Sequence, residues 1–298
     1  MIVRVDAPAK VNLTLEVIGR RPDGFHDLRS VMHATSLLDH LTFAPAPALH
    51  LSAGHPELEG PHNLVWRAAE LLRRESGTSA GAAIAVRKDI PLAAGLGGGS
   101  SDAAAALLGL ERLWNLGLSR ARLLEFGSRL GSDVPFFLGP SACSLAEGRG
   151  ERLTPLPPLV PCWAVLLTPD VSMSTAAVFR AFPSERWGDG SRTSAWLAQA
   201  AAPGDPPLPF NDLEPVALQL VPSLAGARDA LLAAGAPFAA MSGSGATYFT
   251  LCDSPAAAMA IRQRLPPDAG RAHVAHLLPR LPPVERSPAP LRGAGAGG

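Results

Sequence analysis

Lysine is almost absent from this 298-residue chain: 24 of its 26 basic residues are arginine, and only Lys10 and Lys88 are lysine. With abundant alanine, glycine and proline, that bias points to a GC-rich genome in which surface lysines drift to arginine. The two survivors are either chance or positions where a compact ammonium fits and a planar guanidinium fork does not. Cysteine is scarce too. Cys143, Cys162 and Cys252 are odd in number and far apart, with no CxxC pair, which argues against a disulfide framework or a zinc site and for a reducing cytosol. No apolar run reaches the ~20 residues of a membrane span, and the first ten residues lack a signal-peptide stretch. The expected place is the cytoplasm, away from membranes. Net charge is missing as well, 26 basic against 26 acidic residues, so nucleic acid is not an expected partner. What the chain does have is apolar substance. At 47% hydrophobic it can bury a full core, which excludes wholesale disorder and leaves room for one large or two ordinary domains.

Apolar residues alternate through Val3, Val5, Val11, Leu13, Leu15 and Val17, which predicts two strands broken at Pro8. Residues 20–24 read as a turn, 45–62 as loops around a short strand, and 63–74 as an amphipathic helix. A strand is expected at 82–87, a glycine loop at 95–99, and helices at 101–114 and 119–130. The prolines at 155, 157, 158 and 161 suggest a domain boundary, giving domains 1–155 and 160–284. In the second, strands are predicted at 163–168, 238–241, 247–252 and 273–277. Helices are predicted at 174–182, 193–201, 213–220, 223–234 and 255–265. The low-complexity tail 287–298 offers no apolar face and is expected to be disordered.

The strongest chemical signal is the run Pro91, Leu92, Ala93, Ala94, Gly95, Leu96, Gly97, Gly98, Gly99, Ser100, Ser101. Consecutive glycines let backbone approach an anion, and the first amides of the following helix lack intrahelical partners. Together these make a phosphate cradle. A Walker A loop would need Gly-Lys-Ser/Thr at its end, and a dinucleotide fingerprint would need glycine at position 100; neither fits. Ser100 and Ser101 can cap the helix or bond phosphate, and Ser101 is a candidate Mg²⁺ ligand. Asp102 favours the helix dipole, so capping is its expected role. Lys88, just before the loop, can reach phosphate as a point charge. Lys10 sits in an apolar, strand-like run, costly to bury unpaired. Its candidate partner is Asp133, on a turn between Gly131 and Pro135; an Asp bonded to its own turn is the equal alternative. Residues 241–246, with Gly243 and Gly245, are either a hairpin turn or backbone brought close to a ligand. Residues 210–214 read as a helix cap with Glu214 reaching back.

In order along the chain, residues 8–13, 95–101 and 241–246 resemble the three motifs of the GHMP kinase superfamily. Residues 21–28, the extra glycine at 97–99, residues 133–137 and residues 211–213 resemble the branch that phosphorylates 4-diphosphocytidyl-2-C-methyl-D-erythritol on its 2-hydroxyl. The resemblance spans about residues 2–280. It implies an α/β (α+β) fold of two domains, the first α/β and the second ferredoxin-like, with the active site between them. It implies ATP on the glycine loop with Asn63 and Lys88 near the nucleotide, Mg²⁺ as cofactor, and Lys10 with Asp133 as the catalytic pair beside Asn12. Phe25 and His26 match the residues that hold cytosine, and Thr175 and Phe179 the opposite wall. Phe25 stands where the family usually has tyrosine, keeping the stacking face and losing a hydroxyl. The expected state is a monomer or weak homodimer acting on a small molecule. Other acceptors within the superfamily, such as homoserine or a sugar, and a non-catalytic nucleotide sensor are the alternatives.

Overall fold

The computed structural model describes residues 2–54, 56–159, 162–202, 204 and 206–287. Its first sheet is organised by one long strand. β1 (Ile2–Asn12) and β2 (Thr14–Arg20) both run antiparallel to β3 (His26–Ala46), whose 21 residues are long enough to serve several neighbours. After β4 (Leu49–Ser52) and α1 (Leu64–Ser76), β5 (Gly81–Arg87) pairs with both β3 and β4. Next come α2 (Gly98–Trp114), α3 (Arg120–Leu130) and the short α4 (Val134–Leu138). β6 (Cys143–Gly148) then returns to β3 and pairs with β7 (Arg152–Pro155). The alanine-rich face of α2 is fully buried; a Cβ on its Gly109 would stand 2.3 Å from the Phe43 ring, so glycine sets how closely that helix meets β3.

The second sheet is smaller. β8 (Trp163–Thr168) is followed by α5 (Thr175–Ala181), α6 (Ser191–Ala200) and β9 (Phe210–Asn211). Then α7 (Glu214–Leu220), α8 (Leu224–Ala233), β10 (Ala240–Met241), β11 (Tyr248–Cys252), α9 (Pro255–Arg264) and β12 (Arg271–His276) follow. The four strands lie in the order β10-β11-β8-β12, all antiparallel. The chain does not stay with this sheet after residue 160. β9 pairs parallel with β2, and the last strand, β13 (Val284–Ser287), pairs with β1. The expected tail lies outside the described residues from 288 onward, while its first residue, 287, belongs to β13.

Pro8 does not break β1. It sits at a register shift, where Pro8 faces Leu38 and Lys10 faces Ala34, so β3 carries two extra residues there. Proline has no amide to give to a ladder, and the bulge re-aims both chains. The Lys10 amide donates instead to Leu96 O at 2.9 Å. On β3 the bulged segment reaches the second sheet: Thr35 bridges Leu277, and His276 N donates to Ser36 Oγ at 3.0 Å. One irregularity thus ties β1 to the glycine loop and joins the two sheets.

Candidate active site

A cleft of 1310 Å³ lies between the sheets. Lys10 and Asn12 enter it from the end of β1. Lys10 Nζ donates to Asn12 Oδ1 at 2.5 Å and lies 3.6 Å from Asp133 Oδ2. Asn12 cannot flip freely, because its Nδ2 donates to Ser30 Oγ at 2.7 Å, whose own hydroxyl donates to Thr14 O at 2.5 Å. The two catalytic candidates differ in access. The Lys10 side chain is 5% exposed, whereas that of Asp133 is 34% exposed and open to an incoming hydroxyl. Asp133 caps no amide with its side chain and precedes α4, whose five residues are all buried.

The glycine loop crosses Lys10 from the other side. Gly97 has φ 72°, and a Cβ there would lie 3.0 Å from Lys10 Cγ. α2 begins at Gly98, three residues earlier than expected, so Gly98, Gly99 and Ser100 form its first turn. No side chain caps that turn and it contains no acid, leaving its amides bare. The expected cap, Asp102, is instead buried and bonded to Lys88 Nζ at 2.6 Å, with Asp39 as the second partner of that ammonium. Asp39 also accepts from the amides of Asp89 and Ile90 at 2.7 and 2.9 Å. Burial drives the Asp102 carboxyl above the usual range, Lys88 pulls it back and Asp39 pushes it further up. Burial works to lower the Lys88 pKa, but Asp102 and Asp39 outweigh it and leave it raised. Lys88 therefore lines the cleft as a cation already matched by two carboxylates, not as a spare charge.

The third segment closes over the second. Ser242 Oγ donates to Gly95 O at 3.0 Å and Thr247 N to Ala94 O at 3.1 Å, and a Cβ on Gly95 would stand 2.2 Å from Ser242 O. Asn211 holds this segment. Its Nδ2 donates to both Met241 O and Gly243 O at 2.7 Å, while its Oδ1 accepts from Leu213 N at 2.9 Å. A Cβ on Gly243 would lie 3.2 Å from Lys10 Nζ, so the clamp holds backbone against the ammonium. The cap expected from Glu214 is absent: Leu213 is the N-cap of α7 and has no side-chain bond. Burial instead raises the Glu214 pKa, beside Tyr248.

At the far end of the cleft Phe25 is 50% exposed, with the Arg149 guanidinium 4.9 Å above its ring. His26 and Phe179 are neighbours, ring centroids 5.4 Å apart. Burial lowers the His26 pKa, with Arg20 adding to it. Thr175 Oγ1 shares a 2.8 Å hydrogen bond with Ser244 Oγ, linking this wall to the third segment.

Family models fix what this arrangement belongs to. The GHMP kinase N-terminal domain matches residues 63–139, and the GHMP kinase C-terminal domain residues 185–272. A 4-diphosphocytidyl-2-C-methyl-D-erythritol kinase of Dehalococcoides mccartyi is 42% identical over 94% of this chain and 98% of its own length. The enzyme of that name from Symbiobacterium thermophilum is 44% identical over 93% and 100%. The chain belongs to the GHMP kinases. Within them it falls among these relatives, and a solved 4-(cytidine 5′-diphospho)-2C-methyl-D-erythritol kinase superposes with TM-score 0.79 at 39% identity, covering 92% of this chain and 98% of the other. A homoserine kinase from Cytophaga hutchinsonii, at 19% identity, shares the fold with TM-score 0.71.

In this GHMP kinase, residues 91–100 line the cleft together with Lys10, Asn12, Phe25, His26, Lys88, Asp133, Thr175, Phe179 and Gly243. Asn63 lines it too, but its side chain is committed, accepting from Val65 N at 2.8 Å and donating to Leu58 O at 2.6 Å as the cap of α1. Two expected residues do not face the cleft. Ser101, one position into the second turn of α2, is 1% exposed with its hydroxyl turned inward and unpartnered among the described residues, so it is not placed to hold Mg²⁺. A Cβ on Gly245 would meet Met241 Sδ at 3.0 Å, so that glycine packs on core. Asp39 and Arg149 are residues that sequence reasoning missed; Asn211 was singled out but read as part of a helix cap, not as the clamp on residues 241–243. The sequence did hold one signal: Asp39 is a lone carboxylate among Leu37, Leu38 and Leu41, as costly to bury unpaired as Lys10.

Proposed function

We propose that this kinase transfers the γ-phosphoryl group of ATP to the 2-hydroxyl of 4-diphosphocytidyl-2-C-methyl-D-erythritol. The observation that carries the reading is the position of the Lys10–Asp133 pair between a bare helix N-terminus and an aromatic wall in one cleft. Triphosphate suits the first end. The amides of residues 98–100 and the dipole of a 17-residue helix favour anionic oxygens, and no side chain competes for them. A flat heterocycle suits the other end, on the exposed ring of Phe25 beside His26 and Phe179. His26, its pKa lowered, stays neutral near pH 7 and offers one donor and one acceptor to a pyrimidine edge.

Phosphoryl transfer is mostly positioning and charge neutralisation. Asp133 accepts the hydroxyl proton as the bond to phosphorus forms, and Lys10 orients Asp133 and steadies the transferring group. Mg²⁺ fits this donor set. No cluster of three or more His, Cys, Asp or Glu able to enclose a metal occurs among the described residues, and Mg²⁺ typically takes only one or two protein ligands beside substrate phosphates and water. Ser100 and Asp133, both in the lining of the cleft, would offer it protein oxygens, and the ion would neutralise the phosphate charge. We infer a cytoplasmic enzyme; all three cysteines are free, and no helix among the described residues is long and apolar enough to cross a membrane.

The test is ATP-dependent turnover over a panel of acceptors. The diphosphocytidyl alcohol is expected to give kcat/KM at least ~10²-fold above homoserine and mevalonate, since unpaired site groups discriminate strongly. Equal turnover of homoserine would move the protein to another branch of the superfamily, and no turnover of any acceptor would make it a sensor.

A further inference from the structure

A second opening lies behind β3 and the segment after β5 that carries Lys88. Successive side chains on a strand point to opposite faces, and His40 on β3 pairs with Arg87 on β5. Asp39 and Lys88 form the buried ion pair, and Lys88 lines the cleft. Their chain neighbours His40 and Asp89 line a separate groove of 520 Å³. The other wall comes from the second sheet and its helix: Arg262 of α9, and Arg271 and His273 of β12.

The two walls differ in their charge balance. Asp89 is matched on its own side, 3.3 Å from Arg87 and 3.7 Å from His40 Nε2, while His40 Nδ1 is held by Asp6 at 2.7 Å. Opposite them, among the described residues, no carboxylate or hydrogen-bond acceptor engages the guanidinium of Arg262 or Arg271. Between the two arginines His273 buries its Nε2 without a partner. Burial first, and then Arg271 and Arg262, lower its pKa against the opposing pull of Asp89. Two unmatched guanidinium forks flanking an unused ring nitrogen are complementary to an anion with several oxygens.

We propose that this groove binds a small phosphorylated anion, a mono- or diphosphate, at a site separate from the nucleotide cleft and bridging the two sheets. The groove is one residue along the chain from the Asp39–Lys88 pair on both segments. The amides of Asp89 and Ile90 donate to Asp39, the carboxylate that holds Lys88. An anion drawing Arg262 and Arg271 toward Asp89 therefore bears on the segment that sets the Lys88 position.

The probe is inorganic pyrophosphate, titrated calorimetrically into the full chain after its cleft has been filled with a non-hydrolysable ATP analogue. One saturable site is expected, weakened at least tenfold in Arg262→Ala/Arg271→Ala. Both residues are exposed, so the double variant should fold, and an unchanged melting temperature checks this. Arg228→Ala, which alters an arginine paired with Asp229 away from the groove, is expected to bind as the parent does. Absence of saturable binding, equal affinity in the double variant, or equal loss in Arg228→Ala would each overturn the proposal.

Discussion

Lys10 is enclosed on every side that the chain can offer. Gly97 lies against its stem, Gly243 against its ammonium, and Asn12 and Asp133 take its charge. Arginine carries the same charge in a wider, planar head, and the two glycines leave too little room beside Lys10 even for a methyl group. Lys10→Arg is therefore expected to lower kcat by ~10²-fold or more while ATP affinity changes little, because small displacements of a transferring group cost that much. Steady-state kinetics with a separate nucleotide titration checks it; near-normal kcat would mean the position needs only a charge. The scarcity of lysine singled out both positions: Lys10 sits beside two glycines, and Lys88 between two buried carboxylates that the sequence does not place side by side. A second residue-scale consequence concerns acid. His33 is fully buried, its Nδ1 bonded to Ala34 O and its Nε2 accepting from Leu159 N at 3.0 Å, which requires the neutral ring. Burial pushes its pKa down to about 4. A depressed pKa means that the unfolded chain takes up a proton first, so stability is full above ~6.5 and is lost as pH falls toward about 4, by about 3 kcal/mol. His33→Gln should flatten the fall in melting temperature between pH 7 and pH 5; an unchanged slope would remove His33 as its cause.

At the scale of elements, the segment at 241–246 owes its place to Asn211, two residues of β9 and one buried amide. Asn211→Asp keeps the acceptor for Leu213 N and sets a carboxylate against two carbonyls. Each buried group left unpaired costs ~1–3 kcal/mol. The variant is expected to lose at least ~10-fold in kcat and several degrees in melting temperature; unchanged kcat would show that the clamp is only structural. Sequence pattern located nearly every helix and the short strands of the second sheet, because capping residues and alternation mark them locally. It missed β3. That strand is central, its residues 30–35 are buried on both faces, and it carries Ser30, His33 and Asp39 among its apolar positions, so no clean alternation survives. It also placed a break at Pro8, where the structure has a bulge. β13 was hidden in the run-up to a low-complexity tail. A chain ending at Pro283 exposes the β1 edge and part of Val284's packing, and should melt ~2–4 °C below one ending at Ser287, for about 1 kcal/mol lost. Equal melting temperatures would make β13 dispensable.

For the whole molecule, the three glycine-bearing motifs were legible as chemistry, but their convergence was not. Residues 8–13, 95–101 and 241–246 are separated by more than eighty residues at each step, and the contacts that join them are backbone hydrogen bonds, the Ser242 hydroxyl on a backbone carbonyl, and glycine-sized gaps. Spacing carries no trace of such contacts; only the resemblance to the GHMP kinases put them in one site. That convergence puts a partly exposed carboxylate, Asp133, 3.6 Å from the Lys10 ammonium and in one cleft with the uncapped first turn of α2. The most direct test of Asp133 as the base is single-turnover phosphoryl transfer from γ-labelled ATP to 4-diphosphocytidyl-2-C-methyl-D-erythritol by Asp133→Asn. Unchanged ATP binding is expected, with a transfer rate lower by ~10²–10⁴-fold, the usual contribution of a general base. A rate within about threefold of the parent enzyme would contradict that role.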